Sequence, residues 1–273
     1  MTASASSMHP PRSRFRPCLA RLLPMMAILS LAATAPCEDV DLRALGRANH
    51  GQLAGTGLVP ADFDAAQSAG LFVGVNDFSD ESIADLRYAA DDAVDTAWFF
   101  VTQGLIPLDR VWICLSGEPS KPATRANRDA LAAGGATITT GSYDEVYDAM
   151  YAAKSAALAK GLLVLQFSSH GVSSDPDARA ASDDLYLFTA NTRKSDPRNR
   201  TIDLGTLRRD LGATGRAQRT LILLDACREK YEAGQKSGDA SSRLSSKVAE
   251  MMKDVRGTVT IFATKDRGFS FPS

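Results

Sequence analysis

Histidine and cysteine are scarce here, and their scarcity narrows the chemistry. Three histidines and four cysteines occur in 273 residues. Cys18 and Cys37 lie in or beside an N-terminal apolar segment, which leaves Cys114 and Cys227 to the body of the chain. No acidic residue precedes Glu38, while Arg12, Arg14, Arg16 and Arg21 lead into the apolar stretch 22–33. That order reads as a secretory signal peptide over residues 1–37. The stretch is short for a membrane span, and an uncleaved N-terminal anchor is the alternative. Ala33-Thr34-Ala35 and Ala35-Pro36-Cys37 both offer small residues for cleavage.

Removing those four arginines leaves 27 basic against 32 acidic residues, a net charge of −5. No basic run stands out, which argues against nucleic acid or anionic lipid as partner. There is no internal repeat, and no Gly-x-Ser-x-Gly elbow to hold a serine nucleophile. Two cysteines in an exported domain can pair. Cys114 lies inside a strand-like run, however, while Cys227 ends one, so a bridge would need an unusual register.

What is present alternates between apolar runs and helical patterns. Residues 38–69 are rich in Gly, Ala and Asp and read as a linker or pro-segment with at most one helix. Leu71 to Asp77 is a first strand with its rim loop. Residues 85–103 carry apolar residues at helical spacing, with Gly104 as the stop. Val111 to Leu115 is a second strand. The polar stretch 118–140 holds a short helix near 126–133. Ser142 and Glu145 form a capping box opening a helix that runs to Lys160. Leu162 to Phe167 is a third buried strand, ending in Ser168-Ser169-His170-Gly171. Residues 184–189 alternate like a hairpin arm, 203–211 are a short helix, and Leu221 to Leu224 is a strand buried on both faces. Lys247 to Lys253 offers one or two helical turns, and Thr258 to Ala263 is the last strand. Strands alternating with helices predict one α/β domain, residues 70–273, with a mostly parallel sheet covered on both faces.

Two of these strands end in groups able to do chemistry. One closes on Ser168-Ser169-His170-Gly171, the other on Asp225-Ala226-Cys227-Arg228. His9 precedes the apolar segment and His50 lies in the linker, so His170 is the sensible partner for Cys227. An imidazole that takes the thiol proton leaves a thiolate able to attack a carbonyl. The oxyanion that forms needs donors, and the backbone N–H groups of Gly171 and Cys227 are candidates. The plain alternative is a buried apolar cysteine and a hydrogen-bonded loop histidine.

His-Gly after a buried strand, then Asp-Ala-Cys-Arg with its Cys 57 residues after that His, resembles the caspase-like cysteine peptidases. The caspase signature is Gln-Ala-Cys-(Arg, Gln or Gly)-Gly with its His about 50 residues upstream. This chain keeps Ala226, Cys227 and Arg228 and departs at Asp225 and Glu229. The departures resemble the metacaspase and orthocaspase branch. So do Leu86-Arg87-Tyr88-Ala89-Ala90-Asp91-Asp92-Ala93 and the closing Thr258 to Thr264. The similarity spans roughly residues 70–265.

The resemblance implies a caspase–haemoglobinase sandwich, a mostly parallel sheet flanked by helices, and a cysteine endopeptidase with Cys227 and His170 as its dyad. In that branch acids in the P1 pocket favour Arg or Lys. Asp225 and Asp92 stand at the matching positions, and Ser168 matches a pocket-lining Ser. A carboxylate paired with a guanidinium is a charge-assisted, bidentate contact. For Asp92 the competing reading is an acid favoured at a helix N-terminus.

Peptide or protein substrates with a basic P1 residue are the implied partners; oligomeric state is left open. No cofactor or metal is assigned. Some metacaspases need calcium, and Asp175, Asp177, Asp183 and Asp184 make a carboxylate-rich loop, but ordinary solvated charge explains it as well. Basic loops at 193–200 and 228–247 are candidate self-cleavage sites. The family continues past the last strand with a further helix and strand, so this chain reads as short at its C-terminus. A catalytically inactive caspase-like interaction module is therefore the alternative function.

Overall fold

The computed structural model describes residues 41–55, 59–173, 185–214, 216–228 and 257–262. The elements in chain order are α1 (Leu42–Gly55), β1 (Ala69–Val75), α2 (Ala89–Thr102), β2 (Val111–Ser116), α3 (Pro122–Gly134), β3 (Thr137–Thr140), α4 (Tyr143–Ala156), β4 (Leu162–Ser173), β5 (Leu185–Phe188), β6 (Thr201–Asp203), α5 (Leu204–Thr214), β7 (Arg219–Arg228) and β8 (Thr258–Phe262).

Six strands run parallel in the order β3-β2-β1-β4-β7-β8. β5 pairs antiparallel with the C-terminal end of β4, and β6 pairs antiparallel with β5. The chain moves outward from β1 to β2 and β3, then returns to β4 and leaves on the other side. The strand order therefore reverses between β1 and β4. The crevice outside the carboxyl ends at such a reversal is where open α/β sheets bind ligands.

The apolar pattern predicted two covered faces, and two cores are present. Leu71, Val73, Leu163, Leu165 and Phe167 meet Val146, Met150 and Ala153 of α4 and Leu207 of α5 on one face. Phe72, Val164 and Ile113 meet Ala93, Val94, Ala97 and Val101 of α2 and Leu131 of α3 on the other. The linker segment contributes α1, which seats Leu42 in that second core and donates from Asn49 Nδ2 to the Thr102 carbonyl at 2.7 Å.

Several boundaries differ from the sequence expectation, each for a tertiary reason. The first long helix begins at Ala89 rather than 85. The Leu86 N–H is held by the Asn76 carbonyl (2.8 Å), and Asn76 Oδ1 accepts the Ala90 N–H at 3.1 Å. Ser142 is the N-cap of α4, but its side chain makes no cap. Asn191 Oδ1 accepts the Tyr143 N–H instead (2.9 Å), and Thr140 Oγ1 donates to Ser142 Oγ. α4 ends at Ala156, four residues before Lys160, because the Leu158 N–H turns to the Gln67 carbonyl. β3 and β6 were not expected: both are short, polar edge segments. The stretches 168–171 and 225–228, expected as strand ends, continue their ladders. The expected turns at 247–253, the candidate self-cleavage stretch 229–247 and the aspartates 175–184 lie outside the described residues.

Cys114 is a free, buried thiol whose Sγ sits 3.3 Å from Thr139 Oγ1. Burial pushes its pKa up to about 11, so it is an inert packing residue. β2 is three strands from β7 in the sheet, which places Cys114 far outside disulfide reach of Cys227.

Candidate active site

The site grows out of the β4–β7 ladder. Parallel register pairs Ser168 with Asp225, Ser169 with Ala226, His170 with Cys227 and Gly171 with Arg228. Adjacent strands lie about 4.8 Å apart. His170 and Cys227 are thus backbone neighbours at the carboxyl end of the sheet. Ser168 and Asp225 form the same kind of pair two residues earlier. Gly171 is also in register with Leu187 of β5, so it has a strand on each side.

His170 is held by the loop that follows β1. Its Nε2 lies 2.8 Å from the Ala84 carbonyl oxygen. A carbonyl only accepts, so the neutral ring carries its proton on Nε2, and Nδ1 keeps the lone pair that can take a proton. Phe78 and Phe188 flank the ring at centroid distances of 5.3 and 6.4 Å. The loop is tied down at several points. Phe78 N–H donates to Asp85 Oδ1 (3.1 Å), Ser79 N–H to the Ala190 carbonyl (2.8 Å) and Lys194 N–H to Asp80 Oδ2 (2.7 Å). Ala84, Phe78 and Phe188 are residues that sequence reasoning missed. A backbone carbonyl leaves no mark in a sequence.

Asp92 reaches the ladder from the first turn of α2. Ser168 Oγ donates to Asp92 Oδ2 at 3.3 Å. The approach depends on Gly74 of β1, the register partner of Ser168. A Cβ there would overlap the Ala89 carbonyl oxygen and stand 2.7 Å from Ala90 Cα. Glycine lets the helix start lie directly on the strand. Both carboxylates are half-buried. Desolvation pushes Asp92 up to about 6, and the nearby charge of Asp225 adds to it. Burial raises Asp225 as well. The charge of Asp225 opposes ionisation of Asp92.

Its neighbour Asp91 does different work. It is fully buried, and its two oxygens accept the N–H groups of Ser120 (2.7 Å) and Lys121 (2.9 Å). Those N–H groups lie at the start of α3, whose N-cap Lys121 has no side-chain cap. Asp91 is thus a structural acid, and Asp92 faces the rim.

The rim therefore gathers Asp92, Ser168 and Asp225, with His170 and the backbone of Gly171 and Cys227 one step further along the ladder. Two half-buried carboxylates beside a hydroxyl can pair with a cation. Among the described residues, no group of three or more His, Cys, Asp or Glu is arranged to hold a metal ion. No helix of the described residues is long and apolar enough to cross a membrane.

A family model of the caspase domain matches residues 68–272. The chain belongs to the caspase-domain family. Its α/β architecture, a central sheet flanked by helices, agrees with that membership. No curated protein matches the chain. Among solved structures, a crystal structure of a Geobacter sulfurreducens protein is similar at 16% identity with a TM-score of 0.36. That alignment covers 62% of this chain and 52% of the other, so the caspase-like chain spans about half of that protein's length.

Proposed function

We propose that this caspase-domain protein is a cysteine endopeptidase of the metacaspase or orthocaspase kind, cutting after Arg or Lys. The observation that carries the reading is the β4–β7 register, which sets His170 beside Cys227 and Ser168 beside Asp225, with Asp92 bonded to Ser168. His170 Nδ1 takes the Cys227 thiol proton while Nε2–H stays on the Ala84 carbonyl. The thiolate attacks the carbonyl carbon on the C-terminal side of the basic residue. Backbone N–H groups of Gly171 and Cys227 receive the oxyanion. The imidazolium then protonates the leaving amine, the peptide bond breaks, and a thioester remains. Water, deprotonated by the same imidazole, hydrolyses it and restores the thiol. Meanwhile Asp92 and Asp225 hold the substrate's cation. Two partly desolvated carboxylates without a cation resist double ionisation, and a guanidinium relieves that resistance.

The proposal includes export, carried by the basic and apolar N-terminal pattern. The test is turnover of a fluorogenic Arg-P1 peptide, with reductant and calcium supplied. The wild type should cleave it. Cys227→Ala should reduce turnover to background, and His170→Ala should lower kcat by about 10²–10⁴-fold. Cleavage retained by Cys227→Ala would exclude the dyad. No cleavage by the wild type would favour a non-catalytic interaction module.

A further inference from the structure

Behind Ser168 lies a polar side chain that neither the fold nor the proposed chemistry uses. Gln166 stands two residues earlier on β4 and is only 4% exposed. Its Oε1 is buried and has no hydrogen-bond partner among the described residues. A buried acceptor left unpaired costs free energy that an apolar residue of the same size would not. Its register neighbours offer no relief. Phe72 on β1 is fully buried and Leu223 on β7 is half-buried, and neither side chain carries a donor.

The register places this orphan relative to the site. Residues two apart on a strand share a face and lie roughly 6.6 Å apart. Gln166 is therefore one step inward from Ser168, the residue bonded to Asp92. On the neighbouring strand Leu223 is likewise one step inward from Asp225. Asp225 thus stands outside the amide on β7, and Asp92 stands outside it through its bond to Ser168 of β4.

We infer that Gln166 is a specificity-determining residue: its amide oxygen accepts a hydrogen bond from the inner end of a guanidinium and so favours Arg over Lys at P1. This rests on the reading of Asp92 and Asp225 as the P1 site. A guanidinium is a plane with five N–H donors, enough to engage two carboxylates and still present one donor deeper in. An ammonium is a compact charge with three donors, which the two carboxylates absorb. A site built around a hydrogen bond discriminates strongly against an analogue that leaves its buried group unpaired.

The test compares kcat/KM for two peptides that differ only in Arg or Lys at P1. The wild type should prefer the Arg peptide by at least about tenfold. In Gln166→Leu the preference should fall to near unity, through a raised KM for the Arg peptide with the Lys peptide unchanged. Gln166→Glu, which keeps an acceptor, should retain the preference. Leu has a similar volume and removes the orphan, so this variant should melt at or above the wild-type temperature. An unchanged Arg-to-Lys ratio in Gln166→Leu, with turnover intact, would overturn the role of Gln166 and leave the basic P1 reading standing. A wild type that cleaves neither peptide would overturn both.

Discussion

Asp92→Asn should make the protein more stable and, under the proposed function, weaken its hold on a basic P1 residue. Asp92 is raised from 3.8 to about 6 by burial and by the charge of Asp225. A raised carboxylate means that ionisation works against the folded state. The penalty is absent below the unfolded value of 3.8, grows as pH rises toward 6, and is complete above it. The full shift corresponds to ~3 kcal/mol, and partial solvent screening of a half-exposed carboxylate reduces this to about 1–2 kcal/mol. Asn keeps an oxygen for Ser168 Oγ and removes the charge. For a chain of this size the gain corresponds to about 2–8 °C in Tm. Thermal melts of wild type and variant from pH 4.5 to pH 8 would read it. The Tm difference should be smallest at the acid end, widen through pH 6 and stay level above pH 7. In parallel, KM for an Arg-P1 peptide should rise at pH 8 in the variant, and in the wild type it should rise as pH falls through about 6. A variant that melts at or below the wild type at pH 8, or a difference independent of pH, would refute the buried-carboxylate reasoning.

Two further substitutions separate the support of the site from its chemistry. Asp91→Ala frees the N–H groups of Ser120 and Lys121 at the start of α3. It should destabilise by about 1–2 kcal/mol in denaturant melts, with KM unchanged where the protein is folded. Gly74→Ala pushes the Ala89–Ala90 backbone off β1. It should cost about 1–3 kcal/mol and also raise KM for the basic substrate, since Asp92 travels with the helix start.

How much of this was legible in the sequence depended on whether a signal was local. Buried strands announced themselves as apolar runs, because a parallel strand covered on both faces has no polar side to show. That sufficed to locate β1, β2, β4, β7 and β8, and to set His170 and Cys227 near the ends of two of them. β3 stayed hidden because its four residues, Thr-Ile-Thr-Thr, lie at an edge where packing does not demand an apolar run. The capping box at Ser142 was a correct position with the wrong mechanism: the cap arrives from Asn191, almost fifty residues away.

The same limit explains the site. Asp91 and Asp92 are identical side chains at consecutive positions; only the family resemblance singled out Asp92, and nothing in the residues themselves tells a helix-capping acid from a rim acid. Helical geometry separates them, because consecutive residues on a helix do not share a face. One therefore turns to the α3 start and the other to Ser168. His170 shows the complementary case. Its side chain is visible in the sequence, but its tautomer is set by the carbonyl of Ala84, and any residue with a backbone supplies a carbonyl. The protonation state that would make Nδ1 the base is thus a property of where the 76–88 loop is tied. Under the proposed function, the ties at Asp80, Asp85 and Asn76 would therefore bear on catalysis without touching a substrate.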